Sequence, residues 1–132
     1  MSPIRHAILE AAREFNAGRF FEAHEAIEEV LDDTPDALWE LHLGLIRIAV
    51  GYHKVSQGLW SGAERMLMRG LETMEAYPDT AGEVELAQLR ARARRDAESL
   101  RRGRYAEVDL VNDPPRLQPT AARRSRAPDG AR

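Results

Sequence analysis

A histidine and four glutamates fall within ten residues near the front of this 132-residue chain, in Phe20-Phe21-Glu22-Ala23-His24-Glu25-Ala26-Ile27-Glu28-Glu29. Wound at about 100° per residue, His24 lands in the middle of an apolar stripe of Phe20, Ile27 and Leu31. Glu28 lies one turn further on, between that stripe and Phe21. Such a pair on an apolar face is costly unless its members satisfy each other or a third group. Glu22, Glu25 and Glu29 cluster on the other side. His42 and His53 share an apolar face of the following helix, but eleven residues at about 1.5 Å each hold them roughly 16 Å apart, too far to serve one ion. His53 joins His24 only if the two helices cross at an angle, or through water. With that crossing, His24, Glu28 and His53 make three N/O ligands with an open position, the arrangement of a catalytic site for one divalent metal ion. Glu22 and Glu25 are then the acid/base candidates. The alternative for His24 and Glu28 is a buried hydrogen-bonded pair, and for His42 a core or hairpin contact.

Sharper chemistries fail on spacing. His24-Glu25-x-x-Glu28 has a glutamate where a zinc protease needs its second histidine. No histidine has a glutamate three residues before it, which a di-iron bundle requires on two helices. There is no Gly-rich phosphate loop. His53 and Ser56 share a helix face but lack an oxyanion hole and a third partner.

The elements that must carry these residues are punctuated by proline and glycine. Ser2-Pro3 and Thr34-Pro35 each read as a hydroxyl N-cap followed by proline at the first helical position. Apolar stripes at helical spacing predict helices over roughly 3–16, 19–32, 35–57, 60–77 and 82–102, with a short sixth after Gly103. No alternation is long enough for a strand. The fold class is therefore all-α, a bundle of about five helices in irregular antiparallel hairpins, with 1–111 as the helical domain. Gly44 and Gly51, seven apart in the third helix, each weaken it by roughly 1 kcal/mol relative to alanine, and close approach of a neighbouring backbone is the natural compensation. A glycine followed two residues later by an aromatic recurs at Gly18/Phe20, Gly58/Trp60 and Gly103/Tyr105. Each reads as a helix ending on a left-handed glycine, with the next opening on an aromatic packed into the corner, as in tetratricopeptide hairpins. The spacings of 40 and 45 do not make a regular array.

Composition narrows the classes. The absence of cysteine excludes disulfides, thiolate zinc sites and cysteine nucleophiles. The longest apolar run, Leu43 to Tyr52, is broken by Arg47 and too short for a bilayer, and charges at Arg5, Glu10, Arg13 and Glu14 leave no signal-peptide core, so a cytoplasmic location and no membrane partner are expected. Residues 88–132 carry twelve arginines against six acids, and residues 1–87 seven bases against sixteen. Nucleic acid binding is not expected, because acids interleave with those arginines and the tail lacks aromatics for stacking. The basic fifth helix is expected to face the acidic second. Residues 112–132, rich in proline and arginine, read as a disordered tail whose removal from 113 onward changes stability by no more than roughly 1 kcal/mol.

The run Gly18-Arg19-Phe20-Phe21-Glu22-x-His24-Glu25-x-x-Glu28, with Gly44-Leu45-Ile46-x-x-Ala49-x-x-x-His53, Gly58 and Gly62-Ala63 after it, resembles the signature of the domain of unknown function 309 family over about residues 12–75. The resemblance implies a compact all-helical protein and brings no reaction with it. It places the family's polar positions on Glu22, His24, Glu25, Glu28 and His53. Leu43 stands where the family usually has glutamine, and Leu31 where tryptophan is common. Two functions follow as expectations: a small-ligand or metal-binding domain with hydrolase-like potential, and a non-catalytic helical-hairpin module for a protein partner.

Overall fold

Five helices run alternately up and down in the computed structural model, which describes residues 1–121. They are α1 (Pro3–Asn16), α2 (Phe20–Glu28), α3 (Asp36–Ser56), α4 (Trp60–Met74) and α5 (Ala87–Arg101). The N-terminus of α1 is built as the sequence suggests. Pro3 opens the helix and Ser2 accepts a hydrogen bond from the Arg5 amide at 3.0 Å. The second such start differs. Pro35 is itself the cap of α3, and the Thr34 hydroxyl turns away to donate to the Val30 carbonyl at 2.9 Å.

The three glycine–aromatic corners share one backbone design. Gly18, Gly58 and Gly103 have φ of 84°, 73° and 74°. The following residue, Arg19, Leu59 or Arg104, sends its amide back to the carbonyl five residues earlier, at 2.9, 2.9 and 2.8 Å. This is a Schellman-type helix end, which only a residue tolerant of positive φ closes without strain. The third corner leads into a single 3-10 turn at Tyr105–Glu107. Because the helices alternate in direction, all three corners lie at one pole of the molecule.

α3 is the central element, with Leu41, Leu45, Ile48, Ala49 and Tyr52 buried along it. Its glycines meet α4 as anticipated. A Cβ on Gly44 would stand 2.3 Å from Met74 Cγ and 3.2 Å from the Gly70 carbonyl oxygen, and one on Gly51 3.2 Å from the Leu67 amide nitrogen. Gly70 returns the favour, its own hypothetical Cβ being 3.0 Å from the Gly44 carbonyl oxygen.

The structure departs from the sequence reading at four further places. α2 stops at Glu28 and a 3-10 turn at Leu31–Asp33 completes the connection. α4 stops at Met74 and α5 starts only at Ala87. Between them Gly82 and Glu83 both take positive φ, 55° and 64°, and fold Thr80–Ala81 (β1) against Val84–Glu85 (β2) in a primed hairpin turn. Gln118–Pro119 (β3) adds to β2, so the expected domain end at 111 is too early. Asn16 donates to the Leu117 carbonyl at 3.0 Å and accepts from its amide at 2.8 Å. Thr120 takes a bond from Arg5 and gives one to Glu83, and Leu117 is only 2% exposed. Residues 112–121 thus fasten α1 to the hairpin; the rest of the expected tail, 122–132, lies outside the described residues. Finally, α5 packs on α4 rather than on α2. Most of its arginines are neutralised locally: Arg90 by Asp79, Arg92 by Asp96, Arg95 by Asp113, Arg101 and Arg102 by Glu98.

Candidate functional site

The corner joining α1 to α2 sits beside the C-terminal end of α3, which brings the two histidine-bearing stretches together at the pole. Phe21 makes the junction. Phe20 turns inward, 3% exposed, and packs edge-on against Phe15 with centroids 5.0 Å apart, so its neighbour is forced outward. Phe21 is 43% exposed. Its ring lies 4.7 Å from the His24 ring and 5.2 Å from the His53 ring, centroid to centroid.

His24 and His53 therefore both pack against one aromatic ring. His24 Nδ1 donates to the Phe21 carbonyl at 2.5 Å, and its Nε2 stands 3.7 Å from Glu28 Oε1, where a charged imidazolium would make an ion pair across the exposed side of α2. His53 faces a cleft of about 470 Å3 lined by Gly18 through Glu22 together with Ser56. Of the residues expected from the sequence, Glu22 and His53 share this cleft. Glu28 pairs only with His24, and Glu25 is exposed on α2 and does not line the cleft. Among the described residues no group of three or more histidine, aspartate or glutamate side chains could hold a metal ion. Of the three residues of the metal reading, His24 and His53 pack against the Phe21 ring, and Glu28 is paired with His24.

The cleft's other assets are backbone and hydroxyl groups. Arg19 caps α2 without a side-chain hydrogen bond to the helix, its guanidinium being drawn off to Glu14 at 2.7 Å. The first-turn amides of α2 are therefore open donors beside His53. The Ser56 hydroxyl donates to the His53 carbonyl at 2.5 Å and keeps its lone pairs for an incoming donor. An aromatic face, an imidazole, a carboxylate and backbone donors at one opening can hold a planar polar molecule.

Asp96 and His42 are buried polar groups outside the cleft. Asp96, 0% exposed, accepts from the Tyr52 hydroxyl at 2.7 Å and from Arg92 Nε at 2.6 Å, tying α5 to the centre of α3. The signal for it was in the sequence: Asp96 stands within the stripe Leu89, Ala93, Ala97, Leu100, where a carboxylate has no business unless partnered. His42, also 0% exposed, bonds Thr34 Oγ1 through Nδ1 at 2.9 Å, which makes it the hairpin contact that its position suggested.

The segment from the middle of α1 to α4 carries every residue of this cleft. Residues 8–66 match the family model described as Domain of unknown function (DUF309). The family resemblance expected from the sequence is thus borne out over these residues, and the match takes in α2 and α3 whole, while α5 and the small sheet lie beyond it. An uncharacterized protein of Aquifex aeolicus (strain VF5) is 30% identical over 83 residues, which is 62% of this chain and 25% of that protein. The chain spans about a quarter of the length of this curated relative. Among the described residues no helix is long and apolar enough to cross a membrane.

Proposed function

We propose that this DUF309 domain is a small-ligand-binding module whose site is the polar cleft between the start of α2 and the end of α3. The observation that carries the reading is the exposed Phe21 ring, held in place by two histidine rings and bordered by Glu22, His53 and Ser56. A large aromatic left 43% exposed while its neighbour is buried loses hydrophobic stabilisation unless something covers it. Its edge-on contact with the His24 ring and its tilted contact with the His53 ring fix its plane, so a planar ligand finds a preformed stacking face. Glu22 and His53 supply an acceptor and a donor–acceptor at the rim, and are the acid/base pair if the bound molecule reacts.

Backbone amide spectra of the labelled protein, titrated with a panel of planar polar fragments and separately with Zn2+ alone, test this. Fragment-induced shifts confined to residues 18–22 and 53–58, and lost in Phe21→Ala, are expected. Fragments that shift nothing there, or that bind Phe21→Ala equally well, overturn the reading. Stoichiometric Zn2+ shifts at His53 and Glu22 would instead return the site to metal chemistry.

A further inference from the structure

The outer face of α4 and α5 carries a groove of about 380 Å3 that the polar cleft does not use. The two helices are antiparallel. Arg90, in the first turn of α5, donates to the carbonyls of Met74 and Tyr77 at the end of α4, and Glu64 at the start of α4 acts electrostatically on Arg101 at the end of α5. The floor is apolar, with Leu71 and Ala97 beneath and Met68 rising from it 44% exposed. The α4 wall is acidic, formed by Glu64, Glu72 and Glu75. The α5 wall carries Arg94 and Arg101, with Glu98 between them. Among the described residues, Glu64, Glu72, Glu75 and Arg94 have no ion-pair partner.

We propose that this groove is the pairing face of a symmetric dimer, its occupant a second copy of the chain laid face to face with α4 of one copy over α5 of the other. Charge selects both the occupant and the orientation. A two-fold axis lying in the interface along the helix direction exchanges the two walls but keeps the ends in place. Glu64 of the second copy then faces Arg101, and its Glu72 and Glu75 face Arg94. The same contacts repeat on the other side, so the unpaired Glu72, Glu75 and Arg94 of one copy answer those of the other, and Glu64 meets an Arg101 that Glu98 already holds. An in-plane axis across the helices would set acidic wall on acidic wall. Met68 lies at the centre of the face, where it and its counterpart cover each other's exposed thioether as adaptable core residues of a small interface.

Sedimentation velocity from roughly 5 µM to roughly 500 µM tests the proposal, since association follows mass action. The wild-type chain is expected to shift from monomer to dimer across this range, and to do so less at high salt. The pair Glu72→Arg/Glu75→Arg, and separately Arg94→Glu, should each weaken self-association by roughly tenfold or more through like-charge contact. All positions concerned are on the surface, and unchanged circular dichroism verifies folding. Mixing the two variants should restore association as a heterodimer, because both sets of facing walls become complementary again. A chain that stays monomeric throughout, or a dimer indifferent to both charge reversals and to Met68→Asp, overturns the proposal. Charge variants that lose association but do not restore it on mixing overturn the α4-over-α5 arrangement.

Discussion

His42 is held in one tautomer by its neighbours. The Thr34 hydroxyl has a single hydrogen and gives it to the Val30 carbonyl, so toward His42 it can only accept, and Nδ1 must carry the proton. Nε2 is left bare and buried, without a partner among the described residues. Burial pushes the His42 pKa below its ordinary 6.5. The unfolded chain then binds a proton before the folded one as pH falls through about 6.5, so stability is lost on acidification from that point. Urea unfolding at successive pH values above the carboxylate range should show this decline, and His42→Asn, which keeps a donor toward Thr34, should flatten it; an unchanged slope would refute the assignment. Tyr52 gives a second test at this scale. Burial first, then the neighbouring Asp96 carboxylate, raises its hydroxyl well above the ordinary 10. Near-ultraviolet titration should find this phenol still protonated where exposed tyrosines ionise. Tyr52→Phe should cost about 1–3 kcal/mol, because it leaves the buried Asp96 short of a donor.

At the scale of the element, glycine does two different jobs that sequence alone does not separate. At Gly18 the backbone needs φ of 84° but nothing stands within 4 Å of a Cβ, so only conformation is at stake. Gly18→Asn should therefore cost no more than about 1 kcal/mol, asparagine being the residue most at ease in a left-handed cap. At Gly44 the backbone is ordinary helix and the obstacle is α4. Alanine there gains about 1 kcal/mol of helix propensity, yet it meets Met74 at 2.3 Å and the Gly70 carbonyl at 3.2 Å. Gly44→Ala should be destabilising by a net of about 1–3 kcal/mol, since a flexible methionine can yield but a backbone carbonyl cannot. Denaturant midpoints of the two variants, compared at equal m-value, separate the roles.

Across the whole molecule, the C-terminal segment decides how the bundle is closed. Leu117 is buried between α1 and the hairpin, with Asn16 and Thr120 bonded on either side. Leu117→Ala should cost about 2–5 kcal/mol. Deleting residues from 113 onward should cost at least as much, well beyond the roughly 1 kcal/mol that an unburied segment would imply. A deletion that leaves the thermal midpoint unmoved would show that β3 contributes nothing to closure.

Helical periodicity, the Ser2-Pro3 start, the glycine–aromatic corners and the close approach at Gly44 and Gly51 were legible in the residues, because each rests on interactions a few positions apart or on one helix face. The concentration of polar side chains in 20–29 was legible for the same reason. What sequence could not decide was which of those side chains meet. Stripes give angles about a helix axis but not the axial offset between helices, and that offset sets the Phe21 ring against both the His24 and the His53 imidazoles. The strand at Gln118–Pro119 was hidden, and so was the partner of the buried Asp96, because these contacts join positions 33 to 35 and 44 apart and are set only by packing. Local pattern determined which elements form; tertiary burial alone decided which polar groups became neighbours.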